Sequence, residues 1–380
     1  MAQRVYIHIG APKTGTTFLQ TAMWRNRSQL EAQGFLYPGR KRLDHYRASQ
    51  IVRDVPSSKL GDDADAWDRI VAELSAWPGT GLVSHEFFSM ATTEQARAAV
   101  AALAPAEVHV VLTARDYVRQ FPAMYQEALK MNVDDSFDEF MKRAIAFDLP
   151  GAWGWSTQDL PAVLEQWAGA VPAHRIHVIT VPPPGAPRPL LWQRWCEVLG
   201  LDDTGFDMDL GVGNESMGAA QAALVRRMKP FLTNELKDDG ASRHRWFRQY
   251  FGHEVLVPQR GERFGLRPDD AAVLRELSTD AAEAIRRAGY DVTGDLAELV
   301  PAESQPERPH PDDVTDAEML DVACRAMEQM VRDVRLLNLE VRELTHRARA
   351  ASANRPAAAR SGPRATARRL VRQARKRWGR

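Results

Sequence analysis

The pattern of apolar and polar positions predicts strands alternating with helices over the first 300 residues. Arg4-Val5-Tyr6-Ile7-His8-Ile9-Gly10 is rich in β-branched and aromatic residues and stops at a glycine, and helical spacing resumes from Phe18 to about Gln33, closed by Gly34. A short extension follows at Phe35-Leu36-Tyr37-Pro38, then helical patterns from Arg40 to about Asp54 and from Asp65 to Trp77. Gly81 to Glu86 reads as a second strand, Ala91 to Leu103 as a helix, and Val108 to Thr113 as a third, almost wholly apolar strand, as expected when both faces are covered. A further strand is predicted at Arg175 to Val181, after a helix at Ala162 to Ala168. Beyond the proline-rich Pro182 to Pro187, helices are predicted at Leu190 to Leu199, Met217 to Met228, Arg243 to Phe251 and Pro268 to Ala288. Strands alternating with helices of ten or more residues imply an α/β fold: three layers, a parallel sheet flanked by helices.

A different pattern takes over near residue 300. Residues 301–312 hold prolines at 301, 306, 309 and 311 and read as a linker. Thr315-Asp316-Ala317-Glu318 then has the spacing of a capping box, and 313–347 reads as an amphipathic helix. Leu320, Ala323, Met327, Met330, Val334, Leu337, Val341 and Leu344 follow strict 3-4 spacing over roughly three and a half heptads. That seam suits a homo-oligomer paired through 315–346, or a single helix packed back on the body. The chain thus divides into an α/β domain over 1–300, the linker, this C-terminal helical extension, and a tail at 348–380.

Charge changes the picture of that tail. The formal net charge is zero, yet Leu344 to the C-terminus carries 12 Lys or Arg and no Asp or Glu, leaving 38 basic against 50 acidic groups in 1–343. The body is acidic, and the tail is where contact with an anionic surface belongs. Rich in Ala and Arg, it buries too little apolar area to fold alone. Cys196 and Cys324 are the only cysteines, which gives neither a disulfide framework nor a thiolate metal cluster. With no apolar run long enough to span a bilayer and a first strand that leaves no room for a signal peptide, a cytoplasmic location is expected.

The candidate chemistry lies in the loop between the first strand and first helix. Backbone amides there, and the unsatisfied amides and positive dipole end of the helix, make a pocket for phosphate-like groups, to which Lys13 adds a full charge. Gly10 and Gly15 have the spacing of a Walker A loop, but Thr16 stands where its lysine belongs, and Lys13 comes three residues earlier. Ser84, His85 and Glu86 end the second strand at the sheet edge where such folds bind ligands. Glu86 and His85 are candidate bases; strand alternation turns adjacent side chains to opposite faces, and Glu86 is preferred because it lies nearer the loop, with its pKa expected to be raised toward neutrality. His8 is expected in the core, as are most of the tryptophans at 153, 155, 167, 192 and 195, with Trp153 or Trp155 available to stack on a base.

Pro12-Lys13-Thr14-Gly15-Thr16-Thr17 after a strand resembles the 5′-phosphosulfate loop of the sulfotransferases, which use 3′-phosphoadenosine 5′-phosphosulfate (PAPS) as co-substrate. The resemblance covers about residues 1 to 300, implies a P-loop NTPase-like version of the three-layer α/β fold, and implies that Lys13 contacts the leaving phosphate and the sulfuryl group. Thr14, Gly15, Thr16 and Thr17 would hold the 5′-phosphate, and no metal would be needed. It places Arg115, just after the third strand, on the 3′-phosphate. The partner serine expected eight residues on is replaced by Ala123, a departure that puts one contact to that phosphate in doubt. Arg260, in Arg260-Gly261-Glu262-Arg263, corresponds loosely to a basic loop over the nucleotide. The implied activity is sulfuryl transfer to a hydroxyl or amine of a small molecule, glycan or lipid. The rival readings are a P-loop nucleotide kinase, disfavoured by Thr16, and a non-catalytic scaffold acting through its C-terminal helix and tail.

Overall fold

A computed structural model describes residues 1–131, 133–211, 216–233, 235–302 and 306–353. The basic tail from 354 onward lies outside the described residues. Six strands, β1 (Arg4–Gly10), β2 (Phe35–Leu36), β3 (Thr80–Ser84), β4 (Glu107–Ala114), β5 (Ile176–Thr180) and β6 (Asp291–Thr293), form one sheet in the order β2-β3-β1-β4-β5-β6. Every pairing is parallel. The fold is therefore the expected open α/β sheet flanked by helices, and it carries a long C-terminal helix.

Side-chain alternation along β1 divides the core between the sheet's two faces. Val5, Ile7 and Ile9 pack on one side with Val110, Leu112, Phe88 and Phe121. Tyr6 packs on the other with Val111, Ile179, Trp192 and Trp195. His8, fully buried on that second face, meets the Trp195 ring edge-on at 5.0 Å. It is held by Ser84 Oγ at 2.8 Å and Thr113 Oγ1 at 3.3 Å, and burial pushes its pKa down to about 4. The expectation of a core histidine matches this position.

β1 pairs with β3 on one side and β4 on the other, so the loops leaving β1, β3 and β4 meet at the carboxyl edge, where such sheets bind ligands. The β1 loop feeds α1 (Thr16–Arg25). The predicted single helix to Gln33 is broken at Asn26, whose buried side chain donates to the Ala22 and Asp207 carbonyls at 2.9 Å and accepts from Asp207 N at 2.7 Å. Arg243–Leu256 winds as a wide π-helical segment where an α-helix was expected.

The C-terminal helix, Asp316–Ala353, starts at the predicted capping box: Glu318 N donates to the Thr315 hydroxyl oxygen at 3.3 Å and Glu318 Oε2 accepts from Thr315 N at 2.8 Å. Val322 and Ala326 are buried against the body, and farther along Asp333 accepts from the Tyr250 hydroxyl at 2.9 Å. Those three residues share one face, roughly a quarter-turn from the 3-4 seam. Leu320, Met327, Val334 and Val341 of the seam stay about half exposed or more. Among the described residues, no helix is long and apolar enough to cross a membrane.

Candidate functional site

The β1 loop is built from backbone that side chains rarely tolerate. Gly10 (φ 114°) and Gly15 (φ 87°) are left-handed, and so is Lys13 (φ 66°). A Cβ on Gly10 would lie 2.9 Å from the Glu86 carbonyl oxygen, so the loop passes against the backbone of the β3 turn with no room for a larger residue. Gly15 begins α1 without a side-chain cap, and α1 has no acidic residue in its first turn. Its first amides are therefore donors without a side-chain competitor.

The hydroxyls divide unequally. Thr14 is buried with its hydroxyl turned inward to the Ala11 carbonyl and, at 2.5 Å, to Thr113 Oγ1, so it braces the loop and leaves only its backbone for a ligand. Thr16 is buried and Thr17 exposed.

Behind the loop lies an ion cluster. Lys13 Nζ is 3.1 Å from Glu127 Oε1; Lys130 approaches the same oxygen at 2.8 Å, and Arg248 meets Oε2 at 3.0 Å. Burial alone would raise the Glu127 pKa, but Lys13, Lys130 and Arg248 hold it well below the usual carboxylate value. Burial pushes the Lys130 ammonium down to about 8, against the pull of Glu127. His253, 3.2 Å from Lys130 Nζ, is driven to about 3 by burial and then by that ammonium. Glu127 was not singled out in the sequence. Its spacing from Lys130 on the helix Tyr117–Lys130 is an ordinary i, i+3 pair, and its other partners come from residues 13 and 248.

Arg115 leaves the end of β4 and donates through Nη1 to the Lys13 carbonyl at 3.1 Å, so both candidate cations are fixed to one peptide segment. Its Nε is buried without a hydrogen-bond partner. Burial lowers its pKa to about 10, and Arg119, Arg263 and Arg308 add repulsion that Asp116 only partly offsets. A desolvated, under-compensated guanidinium of this kind favours an anion. Of the Arg260 to Arg263 stretch, it is Arg263 that acts on Arg115; Arg260 occupies an exposed left-handed turn. Next to the alanine at 123, Gln120 donates to the Pro12 carbonyl and to Gln158 Oε1 at 2.8 Å, while its own Oε1 is buried without a partner.

β3 ends at Ser84, and a 3₁₀ turn begins at Glu86. The turn breaks the alternation expected of a strand, which brings His85 Nε2 to 3.9 Å from Glu86 Oε2. His85 Nδ1 accepts from Phe87 N at 3.1 Å, so in the neutral ring the proton sits on Nε2 and faces Glu86. Burial lowers the His85 pKa, which keeps that neutral form. The expected upward shift of Glu86 is not found. Burial raises its pKa, but His85, a 2.9 Å hydrogen bond from Gln20 Nε2, its own backbone amide and His8 bring it below the ordinary value. Glu86 is thus a carboxylate near neutrality, a proton acceptor by charge state, whereas His85 offers an N–H.

Trp155 is buried, with its indole N–H on the Ala144 carbonyl at 2.7 Å, which removes it as a platform for a base. Trp153 is partly exposed and meets Phe87 at 5.9 Å. Among the described residues, one group has metal-ligand atoms close together, Asp138, His310 and Asp312. Arg267 already bonds Asp138 at 3.1 Å, and His310 Nδ1 accepts from Asp312 N at 3.3 Å, so the group fastens the segment before the long helix to the body.

No family model matches the chain, and no curated protein matches it. Among solved structures, the chain is similar to a sulfotransferase from Alicyclobacillus acidocaldarius, with 16% identity and a TM-score of 0.37 over 55% of this chain and 86% of that one. That likeness is too distant to carry an argument, and the functional reading rests on the residues themselves.

Proposed function

We propose that this chain transfers a sulfuryl group from PAPS to a hydroxyl or amine acceptor. The observation that carries the reading is the joint placement of Lys13 and Arg115: one ammonium at the loop and one under-compensated guanidinium bonded to the carbonyl of the same lysine. Two anion positions flanking one glycine-bounded loop suit a nucleotide phosphorylated at both 5′ and 3′ positions. In this reading the α1 amides and Lys13 hold the 5′-phosphosulfate and Arg115 the 3′-phosphate. The acceptor oxygen or nitrogen bonds to sulfur as the bond from sulfur to the 5′-phosphate oxygen breaks. The acceptor proton passes to Glu86, and 3′-phosphoadenosine 5′-phosphate leaves. By analogy with phosphoryl transfer, positioning and stabilisation of charge on the leaving oxygens supply most of the rate, a role suited to Lys13 and the loop amides.

Calorimetric titration with 3′-phosphoadenosine 5′-phosphate, ADP and ATP tests the reading. Binding selective for the 3′-phosphorylated nucleotide supports it. Equal binding of ATP favours a kinase, and absence of binding favours the scaffold.

A further inference from the structure

Beside Glu86, beginning at His85, stands a wall of rings. His85 meets Tyr46 at 5.0 Å and Phe87 at 5.2 Å, and Phe87 meets Trp153 at 5.9 Å. All four are only partly buried, so the wall fronts solvent beside the candidate base. Arg53 completes it, with its guanidinium carbon 5.7 Å from the centre of the Phe87 ring. The surrounding charges make Arg53 unusual. Its hydrogen bonds go to the Ser49 carbonyl at 3.0 Å and the Met90 sulfur at 3.4 Å, both neutral. The adjacent Asp54 is engaged by Gln95 at 2.7 Å, and Arg47 is already matched by Asp63 at 3.5 Å. Among the described residues, no carboxylate pairs with Arg53. Burial lowers its pKa, and its charge in turn helps lower that of His85. A half-buried guanidinium with only neutral partners carries a desolvation cost that an anionic ligand would offset.

We infer that this wall is the acceptor subsite, and that it takes a hydroxyaryl carboxylate: a ring on Tyr46, Phe87 and Trp153, a carboxylate on Arg53, and the hydroxyl toward Glu86. The inference rests on the sulfuryl-transfer reading for the direction of chemistry, but its binding test does not. Calorimetry of the full-length chain with a panel of hydroxyphenyl carboxylates and their methyl esters should show the acids binding more tightly, by roughly 10- to 100-fold, the range for a hydrogen bond to a charged group. Arg53→Gln should abolish that preference, and Arg53→Lys, which keeps the charge but not the planar stack, should restore part of it. The variants' affinity for 3′-phosphoadenosine 5′-phosphate should match wild type and serves as the check on folding. Equal binding of acids and esters, no binding of either, or a preference that survives Arg53→Gln would overturn the inference while leaving the nucleotide reading intact. Loss of selective nucleotide binding in the wild type would instead remove the sulfuryl-transfer reading.

Discussion

Replacing Glu127 by glutamine removes the carboxylate that three cations share, and the consequence can be worked through each partner. Lys130, 3% exposed, has its pKa held at about 8 against an ordinary 10.5 while Glu127 is present. At pH 7 it stays charged at a cost of about 3 kcal/mol, taking about 1.4 kcal/mol per pKa unit. Without Glu127 its pKa falls further, and the upper limit of the cost is that of a lysine wholly deprotonated at pH 7, about 5 kcal/mol. Lys130 therefore accounts for only the difference, about 1 to 2 kcal/mol. Lys13 and Arg248 retain 35% and 23% side-chain exposure, so solvent screening limits each lost pair to about 1 kcal/mol. The expected destabilisation is about 3 to 4 kcal/mol, far less than three independently broken buried pairs. Its pH dependence has a definite sign. A depressed lysine pKa means that the unfolded chain binds more protons between pH 8 and 10.5, so wild-type stability carries a penalty that is relieved as pH rises through 8. At pH 9 Lys130 is largely neutral in both proteins, and the difference should shrink to about 2 kcal/mol. Urea unfolding at pH 7 and pH 9 measures both numbers. A loss below about 1 kcal/mol at pH 7, or one that does not shrink at pH 9, would refute the shared-charge description. Affinity for 3′-phosphoadenosine 5′-phosphate should rise in the variant, because a competing carboxylate leaves Lys13.

Other outcomes follow from the same description. His8 and His45 are buried and held near pKa 4 from an ordinary 6.5, so the unfolded chain takes up their protons first as pH falls through 6.5 toward 4. Stability should drop by about 2 kcal/mol per histidine between pH 7 and 5, and an unchanged urea midpoint over that range would contradict it. The exposed seam is expected to pair with a parallel second copy: in-register antiparallel pairing would set Asp333 against its own counterpart, whereas parallel pairing faces Asp333 and Glu340 with the neutral Asn338 and Thr345. Sedimentation of wild type and Leu337→Glu should give dimer and monomer, and a monomeric wild type would end that expectation.

Much of the sheet was legible because its strands are continuous apolar runs that local pattern detects. β1, β3, β4 and β5 match their predicted positions within two residues, while the three-residue β6 (Asp291–Thr293) has no comparable run and was missed. The loop was legible for a related reason, since Gly10 and Gly15 mark left-handed backbone directly in the residue type. What escaped depends on contacts distant in sequence. Asn26 breaks a helix through residue 207, and Glu127 acquires its importance from residues 13 and 248. The strand alternation applied to His85 and Glu86 failed because a turn begins at the second of them, and the upward pKa expected for Glu86 failed because Gln20, His85 and His8 outweigh burial. Arg115 was found by its place after a strand, yet its orphaned Nε, the feature that recommends it as an anion ligand, is visible only in three dimensions.

The central claim is that one loop serves two anion positions, Lys13 with the helix amides and Arg115 beside them. Its most direct test is the calorimetric affinity of 3′-phosphoadenosine 5′-phosphate and of adenosine 5′-phosphate for wild type and Arg115→Ala. Wild type should prefer the 3′-phosphorylated nucleotide, and Arg115→Ala should weaken that ligand by roughly 10- to 100-fold while leaving adenosine 5′-phosphate nearly unchanged. Equal wild-type affinity for the two nucleotides, or a preference that survives Arg115→Ala, would contradict the claim.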